Sequence, residues 1–240
     1  MNKLLIVLLF PSFIFSQIIN IETKDDFNEK AFSGSIELEF DYNKSKETDW
    51  EFINSAYLTW NNDFMTILLI NEIDLNRAGD QDFANDGFQH LRISYHLNKN
   101  FVIESFIQNQ HDLVHNIENR QLAGLGLRKT FPKLGIFGIS SFYEHEELVD
   151  EVINDDFRFS LYNRLSFNIF EKMEFSNILY FQPKLEDFTD HRFALEFILS
   201  IPLSKRVFFN NSLSLSHDSS PAEDIPNTTY QFMNSLKYKF

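Results

Sequence analysis

From Phe32 to Tyr42 the even positions are Phe32, Gly34, Ile36, Leu38, Phe40 and Tyr42, and the odd ones are Ser33, Ser35, Glu37, Glu39 and Asp41. An apolar face opposite a charged face at a period of two is the signature of a β-strand. The same alternation sets Phe157, Phe159, Leu161, Leu165 and Phe167 against Arg158, Ser160, Tyr162, Arg164 and Ser166, and sets Phe193, Leu195, Phe197, Leu199 and Ile201 against Arg192, Ala194, Glu196 and Ser200. It returns at the end, where Tyr230, Phe232, Leu236, Tyr238 and Phe240 oppose Gln231, Ser235, Lys237 and Lys239. Carried along the chain, the pattern predicts about twelve strands, at roughly 31–43, 48–60, 63–76, 87–97, 101–112, 119–131, 134–145, 156–168, 172–183, 190–202, 206–217 and 228–240. Residues 63–76, with Ile67, Leu68, Leu69 and Ile70 in succession, and 134–145 alternate less cleanly.

The predicted strands are long. Strands of soluble proteins centre near about five or six residues, whereas a tilted membrane strand needs about 9 to 11 in the hydrocarbon alone. The connections alternate as well. Long ones (NKSKET, the stretch around RAGDQDFAND, HDLVHNIEN, EHEELVDEVINDD, PKLEDFT, HDSSPAEDIPN) follow odd strands, and short ones (NND, LNKN, FPK, NIFEK, PLSKR) follow even strands. Short periplasmic turns and longer extracellular loops are the pattern of outer-membrane barrels. Phe32, Trp60, Phe64, Tyr95, Phe101, Phe131, Phe167, Phe175, Tyr238 and Phe240 fall near the short-turn ends, where an aromatic girdle is expected. The predicted fold is therefore all-β: a transmembrane antiparallel outer-membrane β-barrel of about twelve strands. No internal repeat suggests a solenoid or propeller.

Residues 1–16 add a compartment. Lys3, an apolar run from Leu4 to Phe15 and small Ser16 follow the order of a secretory signal peptide. A short segment 17–30 then precedes the barrel domain, 31–240. Composition narrows the chemistry: with no Cys there is no thiolate metal site, disulfide or Cys nucleophile. A formal charge of -14 argues against a nucleic-acid partner. The expected partners are outer-membrane lipid and lipopolysaccharide, together with the barrel-assembly machinery through the C-terminal strand, whose assembly signal is Phe240.

The segment from Tyr180 to Phe240 resembles the C-terminal half of the domain-of-unknown-function 481 family, the salt-induced outer-membrane proteins. Pro183, Asp187, Arg192, Lys205, Asp218, Ser219, Pro221 and Phe240 stand at the places of that family's pattern, and ENRQLAGLGLRKTF (118–131) and FGISSFYEHEEL (137–148) are similar to its central strands. The resemblance implies an outer-membrane barrel and adds no chemistry.

If the apolar faces meet lipid, the polar faces line a lumen. The candidate lumen charges are Glu37, Glu39, Arg92, Glu104, Arg128, Arg158, Arg164, Glu174, Arg192, Glu196, Lys237 and Lys239. Their signs tend to alternate between neighbouring strands. Glu104 is expected between Arg92 and Arg128, Glu174 between Arg164 and Arg192, and Lys237 and Lys239 beside Glu37 and Glu39. Such pairs support register and closure. An ion-paired, largely occluded interior and a pore for small solutes both fit. No catalytic, cofactor or metal site is expected. His217 and Ser219 read as a turn cluster, His90 and His96 as hydrogen-bonding lumen residues, and the acid-rich stretch 144–156 as a solvated loop. The function expected is an integral barrel acting as an envelope structural or stress-related protein or as a narrow solute channel. A lipid-modifying hydrolase of the outer membrane and a soluble periplasmic β-sandwich binding protein are the alternatives.

Overall fold

The computed structural model describes residues 31–44, 48–78, 84–132, 134–170, 172–223 and 225–240. The expected leader and the whole of the short segment after it lie outside them. The strands are β1 (Phe32–Lys44), β2 (Thr48–Asn61), β3 (Met65–Ala78), β4 (Ala84–His96), β5 (Phe101–Asp112), β6 (Ile117–Phe131), β7 (Gly135–Leu148), β8 (Ile153–Ile169), β9 (Met173–Pro183), β10 (His191–Pro202), β11 (Val207–Asp218) and β12 (Thr228–Lys239). Each pairs antiparallel with its sequence neighbours, and β12 closes on β1. The result is a twelve-stranded barrel of the outer-membrane type, with the strand count the alternation predicts.

Period two sorts the side chains. Phe32, Ile36, Leu38 and Phe40 point outward and are exposed, whereas Ser33 and Ser35 point inward and are buried. Exposed outward apolar residues recur around the barrel, from Ile73 and Ile93 to Leu125, Ile139, Phe157, Leu161, Leu213, Phe232 and Leu236. A contiguous apolar coat of this extent has no place in water and fits hydrocarbon. Near the end that carries the short turns, rings pack along the rim: Phe167 on Phe175 at 5.2 Å and Phe131 on Phe137 at 5.5 Å between centroids. Lys129 lays its ammonium over Phe101 and Phe131, at 4.9 and 4.7 Å, as a snorkelling lysine does at a headgroup level.

The two weakly alternating stretches have a packing explanation. In β3, Ile67 and Leu69 face out, while Leu68 and Ile70 face in and are buried with Phe88. In β7, Ile136 packs against a second lumen cluster of Tyr162, Ile178, Tyr180 and Ala194. Apolar residues on both faces erase the alternation, although the strand remains.

The opposite end departs from expectation. β6 begins at Ile117, β7 runs to Leu148 and β8 starts at Ile153, so much of the expected long connections around them is strand, while the connections at 184–190 and 219–227 are longer than the turns. A single 3₁₀ turn, Leu113–His115, links β5 to β6; Asp112 caps it and Asn116 ends it in the left-handed region at φ 60°.

The β1–β12 seam is the shortest of the twelve, its register running only from Ser35↔Lys239 to Glu39↔Ser235. Phe240 extends it: its N–H donates to the Gly34 carbonyl at 3.0 Å, and its ring occupies the space a Gly34 side chain would need.

Candidate functional site

The interior divides into a filled side and an open side. On the filled side, Glu144 of β7 accepts from three guanidinium groups: Arg120 Nε of β6 at 2.5 Å, Arg158 Nε of β8 at 2.7 Å and Arg192 Nη1 of β10 at 2.5 Å. Glu146 takes Arg192 Nη2 at 3.0 Å, Asp218 of β11 takes Arg192 Nε at 2.8 Å, and Asp190 takes Arg158 at 2.9 Å. Arg192 and Glu144 lie on strands separated by two others, so their bond crosses the lumen. All five of Arg120, Arg158, Arg192, Glu144 and Glu146 are buried. Buried charges persist only when paired and hydrogen-bonded in this way.

Lower in the barrel, Glu104 of β5 sits between Arg92 of β4 at 3.6 Å and Arg128 of β6 at 3.7 Å. Tyr162 of β8 also donates its hydroxyl to Glu104. That reach across the lumen requires Gly138: a Cβ there would meet the Tyr162 ring at 2.0 Å. Aromatic rings continue the filling, with His90 stacked between Phe88 and Phe106 at 6.1 and 5.5 Å, and Phe106 against Phe142 at 6.2 Å. His90 Nδ1 pairs with Gln108 Oε1 at 3.1 Å and His96 Nε2 with Thr66 Oγ1 at 3.0 Å.

On the open side, β1–β3 and β9–β12 border a cavity of about 500 Å³. Its lining extends from Ser33, Lys205, Arg206 and Lys239 at the turn end to Asp112, His115 and Ser216 at the loop end. The registers stack its acids in two tiers. In the lower tier, Lys237, Glu37, Ser55 and Glu72 lie side by side; in the upper tier, Asn210, Ser235, Glu39, Ile53, Asp74 and Asp86 do so. Glu37 is held by Lys237 Nζ at 3.4 Å, by Asn210 Nδ2 at 2.6 Å and by the Ser235 hydroxyl. Glu72 accepts from Ser55 Oγ at 2.7 Å. Glu196 and Glu174 also border the cavity, the latter accepting from Ser176 Oγ at 3.4 Å. Arg164 lines it too, donating to Ser166 Oγ at 3.3 Å.

Two expected neighbourhoods are corrected. Lys239 stands in register with Ser35, not with Glu39, whose partner is Ser235. Arg192 stands in register with Gln182 and Asp218, at the opposite end of β10 from Ser200, the partner of Glu174. It engages the loop-end acids instead of Glu174.

Glu144 and Glu146, expected in a solvated loop, are the centre of the buried network, and Asp218 belongs to the same network. The inward parity of Ile136, Gly138, Ser140 and Phe142 continues unbroken to Glu144 and Glu146 and was the available signal. His217 Nδ1 meets Thr228 Oγ1 at 2.8 Å, while Ser219 Oγ accepts from the His191 N–H at 2.7 Å, so the two are engaged separately. Beyond the strands, Lys184 is held above the usual lysine range by its hydrogen bond to Asp156, at 2.5 Å. Asp187 is held below the usual carboxylate range by the Thr189 hydroxyl and N–H.

Comparison places this arrangement among known proteins. The sequence profile of a family described as a protein of unknown function, DUF481, matches residues 26–240. Among curated proteins none matches the chain. Among the solved structures that share its fold are a porin and an outer-membrane channel. The NanC porin is 12% identical, with a TM-score of 0.52, and the alignment covers 86% of this chain and 97% of the porin. An outer-membrane channel from Pseudomonas putida F1 is 10% identical, with a TM-score of 0.56, covering 92% of this chain and 100% of that one. At these identities the likeness is one of fold.

Proposed function

The chain belongs to the DUF481 family, and on that footing we propose that it is a narrow outer-membrane channel preferring small cations. The observation that carries this reading is the one-sided lumen. The filled side rigidifies the wall and takes up much of the cross-section, and the cavity beside it is lined by residues from both ends of the strands. A barrel of about twelve strands lies between the side-chain-filled eight-stranded type and the water-filled porins. Here that width is divided into a packed part and a passage.

The selectivity follows from charge. The filled side nearly balances its own charges in short ion pairs. Along the passage, Glu39, Glu72 and Asp74 have no cationic side chain of a described residue at ion-pair distance, so their field acts on whatever enters. With the short turns in the periplasm, these acidic tiers lie in the middle of the barrel, and Lys205, Arg206 and Lys239 mark the periplasmic mouth. The apolar coat meets outer-membrane lipid, and Phe240 on the closing strand is the element offered to assembly machinery.

Planar-bilayer recording tests the proposal. The refolded barrel is expected to give a small, reproducible conductance whose reversal potential in a KCl gradient shows a cation preference of several-fold. No current above background would overturn the channel, and a zero or anion-selective reversal potential would overturn its selectivity.

A further inference from the structure

Resting on the channel reading, we infer that the acidic tiers on the open side form a binding site for linear α,ω-diamines and polyamines. One ammonium group sits at the level of Glu72, and the next at the level of Glu39 and Asp74. The tiers are two residues apart along the strands, a rise of roughly 7 Å, close to the separation of the terminal ammonium groups in an extended four- or five-carbon diamine.

The chain supplies its own example of the chemistry accepted here. The Lys237 ammonium, on a four-carbon stem, lies 3.4 Å from Glu37 and 4.9 Å from the centre of the Tyr57 ring. A carboxylate beside an aromatic face is a favourable setting for an alkylammonium. Lys237 answers Glu37 alone, and Glu39, Glu72 and Asp74 remain without an ion-pair partner among the described residues.

Independent signs of a donor-rich ligand come from the walls. Asn210 and Gln110 are 7% and 2% exposed and border the cavity, yet Asn210 Oδ1 and Gln110 Oε1 have no hydrogen-bond donor among the described residues. Asp74, whose carboxyl shares a hydrogen bond with Glu51, also leaves its Oδ1 without a donor among the described residues. Each of these three atoms is an acceptor, so the groups they await are N–H or O–H donors. A directly ligated metal ion fits less well, because among the described residues no three His, Asp or Glu side chains converge closely enough to hold one. Ammonium groups, with three donors each and no demand for tight coordination geometry, meet the scattered acceptors where they stand.

Calorimetric titration of the full chain refolded in micelles tests the site, with 1,4-diaminobutane and spermidine compared with butylamine and MgCl₂. The diamine is expected to bind at least about tenfold tighter than butylamine, because a second charge-assisted contact is added. Glu39→Gln with Glu72→Gln should remove that advantage, whereas Glu118→Gln, exposed at the loop end of β6 and outside the cavity lining, should leave it intact. If the double variant fails to refold, Asp74→Asn alone is expected to weaken diamine binding about threefold. Equal affinity for diamine and butylamine, or displacement by Mg²⁺ as effective as by spermidine, would overturn the site in favour of general charge screening. The two readings fail separately. A barrel that binds diamine in this pattern but carries no current refutes the channel and keeps the site; one that conducts without diamine preference refutes the site alone.

Discussion

The two sides of the lumen are built from the same alternation and reach opposite solutions to the problem of inward charge. On the filled side, arginines from β4, β6, β8 and β10 meet carboxylates from β5, β7 and β11, mostly between neighbouring strands, and Arg192 reaches past two strands to Glu144 and Glu146. On the open side, β1 and β3 each project two acids toward the cavity, and Lys237 is the cation that answers one of them. Paired charge can be taken out of water at tolerable cost, whereas unpaired charge must keep water or an ion. Charge sign at a handful of inward positions thus decides which part of a barrel closes and which stays open.

The largest expected effect breaks the filled side. Glu144→Gln removes the acceptor shared by Arg120, Arg158 and Arg192 and should cost about 3–5 kcal/mol, read from guanidinium unfolding of the micelle-refolded barrel. A loss below about 1 kcal/mol, the value for a solvated pair, would mean that this side is water-filled and that the contrast with the open side is false. Next comes steric filling: Gly138→Ala drives a methyl group into the Tyr162 ring and should cost about 1–3 kcal/mol. In a double-mutant cycle, Tyr162→Ala should recover part of that loss, because the clash is its cause.

The open side should show the reverse profile. Glu39→Gln with Glu72→Gln is expected to leave unfolding nearly unchanged and to reduce the cation preference of the bilayer current several-fold, whereas Glu104→Gln on the filled side should destabilise without altering selectivity. Equal selectivity loss from both would place the passage elsewhere in the lumen. The smallest effect is local. The Asp187 carboxyl is held low by Thr189, so its contribution to the 184–190 connection is full above the ordinary aspartate range and is lost as pH falls through that range toward the lowered value. Amide exchange at Thr189 should accelerate over that acid window and should be fast and pH-insensitive, beyond the intrinsic rate, in Asp187→Ala.

Where the chain alternated, its strands could be placed within a few residues, since lipid on one side and a polar lumen on the other impose opposite demands on successive side chains. The reading weakened where one demand lapsed. In β3 the inward Leu68 and Ile70 pack on Phe88, so both faces are apolar. In β7 and β8 the strands continue to Leu148 and from Ile153, where the outward face carries Tyr143, His145, Glu147 and Asp155. The His145–Asp155 and His145–Glu147 contacts there, at 2.8 and 3.1 Å, are polar and partly exposed. Without an apolar outward face the alternation of class disappears, and Glu144 and Glu146 look like members of a solvated loop.

Local alternation by itself determined the strands, their inward and outward faces and a closed antiparallel barrel, because a period of two is written residue by residue. Which inward charges meet was decided only by the tertiary structure. Arg192 reaches Glu144 across two intervening strands, Tyr162 reaches Glu104 past Gly138, and Glu39 stands beside Ser235 because of the stagger with which β12 closes on β1. These are relations across the lumen and around its circumference. They depend on curvature, register and closure, which a pattern along the chain does not carry.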